Sequence, residues 1–201
     1  MNSIPIYDPV DNPAQWWRRV CWVDERLATS GDLPENRTEA LKHLRHWETE
    51  GITDVIDLRV EADDSDLIVE NSGIRPHWFG ANDDGMTRDD AWFDALTQRA
   101  QDILTEPGRK LLAHCHMGIN RGPSALYAIM LTRGWNATEA LDAIVAARPI
   151  AGIIYATDAT RWWAKKQGHG PAETRRLLDE VAGWFDASHI DLGKVIRRMR
   201  Q

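Results

Sequence analysis

The feature that most constrains the fold is one continuous segment, LLAHCHMGINRGPSALYAIML, from Leu111 to Leu131. With Lys110 its apolar start reads as a strand, Lys110 to His114, and Gly122-Pro123 opens a helix that runs through Thr132. Between the two, CHMGINR is a short loop. A buried strand that turns directly into an apolar helix is the repeating unit of a parallel sheet covered by helices.

The flanking sequence continues that alternation. Arg37 to Glu50 places Leu41, Leu44 and Trp47 on one helical face and stops at Gly51, and Ile52 to Leu58 reads as a buried strand. Glu61 to Asp66, EADDSD, reads as a solvated acidic loop, and Ile74 to Phe79 as a short strand running into the turn-rich GANDDG at Gly80 to Gly85. Arg88 to Thr105 has the apolar spacing of an amphipathic helix, from Trp92 to Leu104, and Pro107-Gly108 breaks it. Asn136 to Ala147 carries an Asn-x-x-Glu capping pattern with Glu139 and ends before Pro149, and Thr157 to Lys166 is helical up to Gly168. Leu177, Leu178, Val181, Trp184 and Phe185 share one face of a further helix, and Ile190 to Met199 marks a less regular one. The expected fold is α/β, a central mostly parallel sheet of about four to five strands flanked by helices, with extra C-terminal helices. The expected organisation is an extended lead-in over 1–15, one domain over 16–168 and a helical extension over 169–201 that packs on the core.

Composition narrows the function. The 201 residues fit one domain, and 24 basic against 31 acidic residues, a net charge of -7, argue against a nucleic-acid partner. Cys21 and Cys115 are too few for a disulfide framework and lack the paired spacing of a zinc site. No basic residue precedes a hydrophobic stretch near Met1, and runs such as LYAIML fall short of a membrane span, so a soluble, cytoplasmic chain without a membrane partner is expected. The ten tryptophans read as core or boundary residues rather than a ligand platform, and His43 and His46 as a polar helix face.

Chemistry concentrates in the loop. Bare C-x5-R arises readily by chance, but His114 before it and Gly118 within it make the coincidence rare. A tight turn between strand and helix can aim its backbone N–H groups into one concavity, where the helix dipole adds positive potential suited to a tetrahedral dianion. Cys115 at the floor would be a thiolate nucleophile, favoured by those amides and by Arg121, whose planar fork can clamp two phosphate oxygens. Gly118 permits positive φ or close backbone approach. His116, Met117, Gly118, Ile119, Asn120 and Arg121 are thus the expected phosphate-binding residues. Attack on a phosphate ester also needs a proton donor, and Asp83 and Asp84 in GANDDG are candidates. One helix joins the strands before the two loops, so a right-handed crossover would bring both loops to one sheet edge, without choosing between the aspartates. His114 is expected to orient the loop through hydrogen bonds, and the H-C-H run is not expected to hold a metal.

From Trp22 to Trp163, through VIDLR, GANDDG, HCHMGINR and ARPIAG, the chain resembles the cysteine-based protein phosphatases of the tyrosine and dual-specificity class. The resemblance implies Cys115 as nucleophile, Arg121 as phosphate clamp and Asp83, rather than Asp84, as general acid. It further implies a cofactor-independent reaction through a phosphocysteine, acting on phosphorylated protein, phosphotyrosine foremost, or on a small phosphate ester. The loop departs from the pattern at Gly122, where the family carries Ser or Thr whose hydroxyl donates to the sulfur. Ser124 is the expected partial substitute, and Gly122→Ser is expected to raise turnover if the second step is limiting. A catalytically weak phosphate-binding module and a rhodanese-like enzyme are the alternatives.

Overall fold

The computed structural model of the chain describes residues 17–188. The elements run β1 (Cys21–Trp22), β2 (Leu27–Ser30), α1 (Arg37–Thr49), β3 (Asp54–Arg59), α2 (Ser65–Asn71), β4 (Arg75–Ala81), α3 (Asp90–Thr105), β5 (Leu111–His114), α4 (Arg121–Thr132), α5 (Ala137–Ala147), α6 (Ala156–Lys166) and α7 (Pro171–Ser188). They form one five-stranded sheet in the order β1-β2-β5-β3-β4, parallel except for β1.

Strand periodicity divides the core between the two faces. Ile56, Leu58, Leu111 and Ala113 point to the side where α3 to α6 supply Phe93, Leu126, Ile144 and Trp162. Ala28, Val55 and Leu112, offset by one residue, point to the side covered by Leu44 and Trp47 of α1 and Ile68 of α2. The most enclosed helix is α4, buried from Arg121 through Leu131. Each large apolar side chain on it contributes roughly 1.5–3 kcal/mol on burial, so the loop before it leads into a helix that does not fray.

Helix ends follow local chemistry. Asn36 caps α1 by accepting from the Glu39 amide at 3.2 Å, and Asp89 caps α3 by accepting from Ala91 at 2.8 Å. At α5 the expected cap is not made: the Asn136 amide donates to the Glu139 carboxylate at 3.0 Å instead of accepting from a helix amide. His43 belongs to a buried face of α1, not to a polar one, because Ala40, Leu44 and Trp47 turn that side to the sheet.

Three elements were not legible in the pattern. β1 and β2 are short, and LATS of β2 is buried at all four positions, so it shows no alternation. α2 begins at Ser65, inside the segment expected to be a loop. Near the other end, α7 lies against α5 and α6 with Val181 fully buried and the Trp184 indole donating to Asp142 at 2.7 Å. The lead-in over 1–15 and the Ile190 to Met199 stretch lie outside the described residues. No helix among the described residues is long and apolar enough to cross a membrane.

Candidate active site

Because β2, β5, β3 and β4 are parallel neighbours, the segments that follow them emerge at the same edge of the sheet. This brings together Asp32 after β2, Cys115 to Asn120 after β5, Glu61 after β3 and Asp83 after β4, as the hydrogen bonds below show.

The loop after β5 is fixed by its carbonyls. His116 O accepts from the Asp32 amide at 3.1 Å, and Ile119 O from Gly152 at 2.6 Å. Met117 O and Gly118 O accept from the Arg148 guanidinium at 3.0 and 2.5 Å. All peptide bonds described are trans, so each N–H points opposite the carbonyl of the preceding residue. Four successive carbonyls held by the surrounding protein therefore turn the amides of Met117, Gly118, Ile119 and Asn120 the other way, toward the hollow of the turn. Gly118 has φ +60°, and a Cβ there would come within 2.5 Å of the Ser30 carbonyl oxygen and of Arg148 Nη2. Cys115, which opens the loop, is only 2% exposed.

Arg121 opens α4 and is itself buried. Nη1 donates to Glu61 Oε2 at 2.7 Å, to Ala81 O at 3.0 Å and to Leu58 O at 3.4 Å, while Nη2 donates to Glu61 Oε1 at 2.6 Å. Nε has no hydrogen-bond partner among the described residues, with Asp83 Oδ2 3.5 Å away. Burial works against the guanidinium charge, but the Glu61 hydrogen bonds and a charge on Cys115 outweigh it and raise its pKa. The same hydrogen bonds hold Glu61 down at about 2. The acidic stretch after β3 is thus not simply solvated: Glu61 grips the outer end of the Arg121 fork, and Asp64 pairs with the buried Arg59 at 2.5 Å.

The geometry separates the two aspartates. Asp83 Oδ1 accepts from Asn120 Nδ2 at 2.6 Å and from the Tyr155 hydroxyl at 3.3 Å. Burial, and then the Asp83 charge, raise the Tyr155 pKa, so the phenol stays a donor. Asp84 turns away to Arg88 and the Met86 amide, which keep it ionised. Asn120, expected to face phosphate, has its side chain engaged elsewhere: besides holding Asp83, its Oδ1 accepts from the Ile154 amide at 2.7 Å and from Ser124 Oγ at 3.1 Å. Ser124 is correspondingly not aimed at the sulfur; it donates to Asn120 and accepts from the Tyr155 amide at 3.3 Å.

The histidines beside Cys115 differ. His116 is half exposed and its Nδ1 lies 2.6 Å from Asp32 Oδ2, which raises its pKa against the opposing effect of burial. His114 is fully buried under Trp47, with ring centroids 5.5 Å apart, and neither ring nitrogen has a hydrogen-bond partner among the described residues. Burial holds it neutral by lowering its pKa. The expected orienting hydrogen bonds from His114 are therefore not made; it acts by packing. Its ring nitrogen and carboxylates of Asp57 and Asp64 lie within 4.8 Å of one another, but Arg59 Nη2 already binds both carboxylates, at 2.6 and 2.5 Å, so a cation there would have to displace a guanidinium.

No protein-family model matches the sequence, and no curated protein matches it significantly. Solved structures do. Tk-PTP in its active form aligns over 82% of this chain and 97% of its own, with TM-score 0.55 and 20% identity. PTPMT1 aligns over 75% of this chain and 97% of its own, with TM-score 0.61 and 17% identity. The fold is that of the cysteine-based tyrosine and dual-specificity phosphatases. Human DUSP28 extends the likeness, with TM-score 0.60 at 15% identity over 74% of this chain and 95% of its own. At such identities the likeness is one of fold.

Proposed function

We propose that the protein is a cysteine-dependent phosphoric monoester hydrolase. The observation that carries this reading is what gathers at one sheet edge: Cys115 at the start of a loop whose His116 to Ile119 carbonyls are held from outside, the Nε of Arg121, which makes no hydrogen bond, and the Asp83 carboxylate 3.5 Å from that Nε. The amides and the guanidinium supply positive potential for a phosphoryl dianion and its flattened transition state. Glu61 positions the guanidinium without occupying its Nε.

In the first step the Cys115 thiolate attacks phosphorus, the ester P–O bond breaks, and protonated Asp83 gives its proton to the leaving oxygen. In the second, water attacks the phosphocysteine, Asp83 takes the water's proton, and the S–P electron pair returns to sulfur as phosphate leaves. Neither step calls for a cofactor. Asn120 and Tyr155 hold Asp83 beside Arg121 between the two roles. His116, Met117, Ile119 and Asn120 include no lysine, so a polyanionic head group finds no permanent positive charge in the loop before Arg121. PTPMT1 has been crystallised with PI(5)P; for this chain protein phosphotyrosine is the preferred substrate, ahead of phosphoserine, phosphothreonine and small esters.

Gly122 and the 2% exposure of Cys115 favour a second reading, a phosphate-binding module with slow turnover. Hydrolysis of p-nitrophenyl phosphate in the presence of chelator separates the two. Vanadate-sensitive turnover lost in Cys115→Ser and strongly reduced in Asp83→Ala is expected of the enzyme. Retention of a phosphotyrosine peptide without turnover would identify the module.

A further inference from the structure

Position 122 faces a specific neighbour. β2 pairs with β5 in the register Thr29 to Ala113, and the flanking Leu27 and Leu111 both lie on the α4 side of the sheet. Thr29 therefore points at the first turn of α4. A Cβ built on Gly122 would lie 3.1 Å from Thr29 Oγ1 and 3.0 Å from the Ala113 carbonyl oxygen. A side chain at 122 would thus press on the Thr29 hydroxyl, which would have to give by a few tenths of an ångström.

Thr29 is 0% exposed, and its hydroxyl has no hydrogen-bond partner among the described residues. A buried hydroxyl without an acceptor is costly, and a catalytic role is one of the reasons such a group persists. One acceptor forms on the neighbouring strand's continuation during the reaction proposed above. When the S–P bond of the phosphocysteine breaks, the bonding pair returns to Cys115 as a thiolate, and Cys115 lies two residues beyond the Ala113 that pairs with Thr29. A neutral hydroxyl on the adjacent strand can stabilise that charge by donating a hydrogen bond while keeping its proton.

We propose that Thr29 Oγ1 is this donor, so that the leaving-sulfur hydroxyl has moved from the start of α4 to the neighbouring strand β2. The inference rests on the phosphatase reading. It also reverses the expectation for Gly122→Ser: the new Cβ would crowd Thr29 and the Ala113 carbonyl, and turnover should fall rather than rise.

The test is rapid-quench kinetics with p-nitrophenyl phosphate on wild type, Thr29→Val and Thr29→Ser. Valine keeps the shape and removes the hydroxyl. In Thr29→Val, kcat should fall roughly 10- to 100-fold while kcat/KM stays nearly constant, and a burst of one p-nitrophenol per active site should precede the slow phase. Thr29→Ser should retain most of kcat. A merely structural Thr29 would shift the melting temperature but produce no burst. Wild-type kcat in Thr29→Val, or equal losses in kcat and kcat/KM, would overturn the proposal alone. Absence of vanadate-sensitive turnover in wild type would overturn the phosphatase reading and this proposal with it.

Discussion

Two buried arginines flank the Cys115 loop and differ in what they bind: Arg148 donates to its carbonyls, and Arg121 follows it as the first residue of α4. Arg148, 1% exposed, spends every nitrogen on neutral acceptors: the carbonyls of Trp17, Arg19, Met117 and Gly118, and Cys21 Sγ at 3.4 Å. Arg121, 4% exposed, spends its two terminal nitrogens on Glu61 and two carbonyls and keeps Nε in reserve. A saturated guanidinium fixes a backbone; one with an unspent N–H at a sheet edge is available for chemistry. On the reading proposed above, the Arg148 side of the loop, its underside, serves shape and the Arg121 side, its mouth, serves charge.

That division can be broken by substitution. Arg121→Lys keeps a cation but removes the fork, and kcat/KM should fall about 10²- to 10³-fold with little change in melting temperature. Arg148→Met strips four carbonyls of their donor. It should cost about 3 kcal/mol in denaturant unfolding, and because Met117 O and Gly118 O lose their donor, the molecules that stay folded should show a smaller fall in kcat/KM than Arg121→Lys. If Arg148→Met removed activity without loss of stability, the underside would have to be counted as part of the chemistry.

A milder change sharpens the picture at the mouth. Glu61→Gln retains one of the two hydrogen bonds to Arg121 and should raise KM about fivefold with a smaller effect on kcat. With Glu61 held down at about 2, its grip is present throughout the usual assay range and is lost only as pH falls through that value, so the KM defect should not depend on pH between 5 and 8.

The smallest effect concerns the flanking histidines, whose signs are opposite. The folded chain resists protonating His114, so the unfolded chain binds the extra proton and stability should fall as pH drops below about 6.5. The folded chain favours protonated His116, so that contribution is present below the same value and fades as pH rises through its raised pKa. His116 is half exposed and screened, so the slope of His114 should prevail. Between pH 5 and 7, His114→Gln should flatten the dependence of urea stability on pH, and His116→Gln should steepen it.

How much of this could be read from the chain follows from distance along it. Cys115, Gly118 and Arg121 were legible because their geometry is dictated locally, by a strand and a helix separated by one tight loop. Asp83 was legible in part, through the crossover that makes β4 and β5 run the same way; its separation from Asp84 depended on Asn120 and Tyr155, which lie far from it in sequence. Glu61 reads as a solvated charge because its partner is 60 residues away. Its place just past VIDLR, the strand that becomes the middle of three parallel neighbours, was the available signal. Thr29 had none: β2 is four residues long, buried throughout, and gains its meaning only from pairing with β5. Ser124 and His114 show the reverse: both are near Cys115 in sequence, yet Ser124 bonds to Asn120 and Tyr155 and His114 packs on Trp47.

In the proposed reaction one sulfur carries the phosphoryl group. Acid quenching during turnover of a phosphate ester, followed by peptide mass analysis under conditions that preserve a thiophosphate, tests it directly. The expected result is a single phosphoryl adduct on the peptide containing Cys115, absent from Cys115→Ser and accumulating further in Thr29→Val. Steady hydrolysis by Cys115→Ser, or an adduct on any residue other than Cys115, would contradict it.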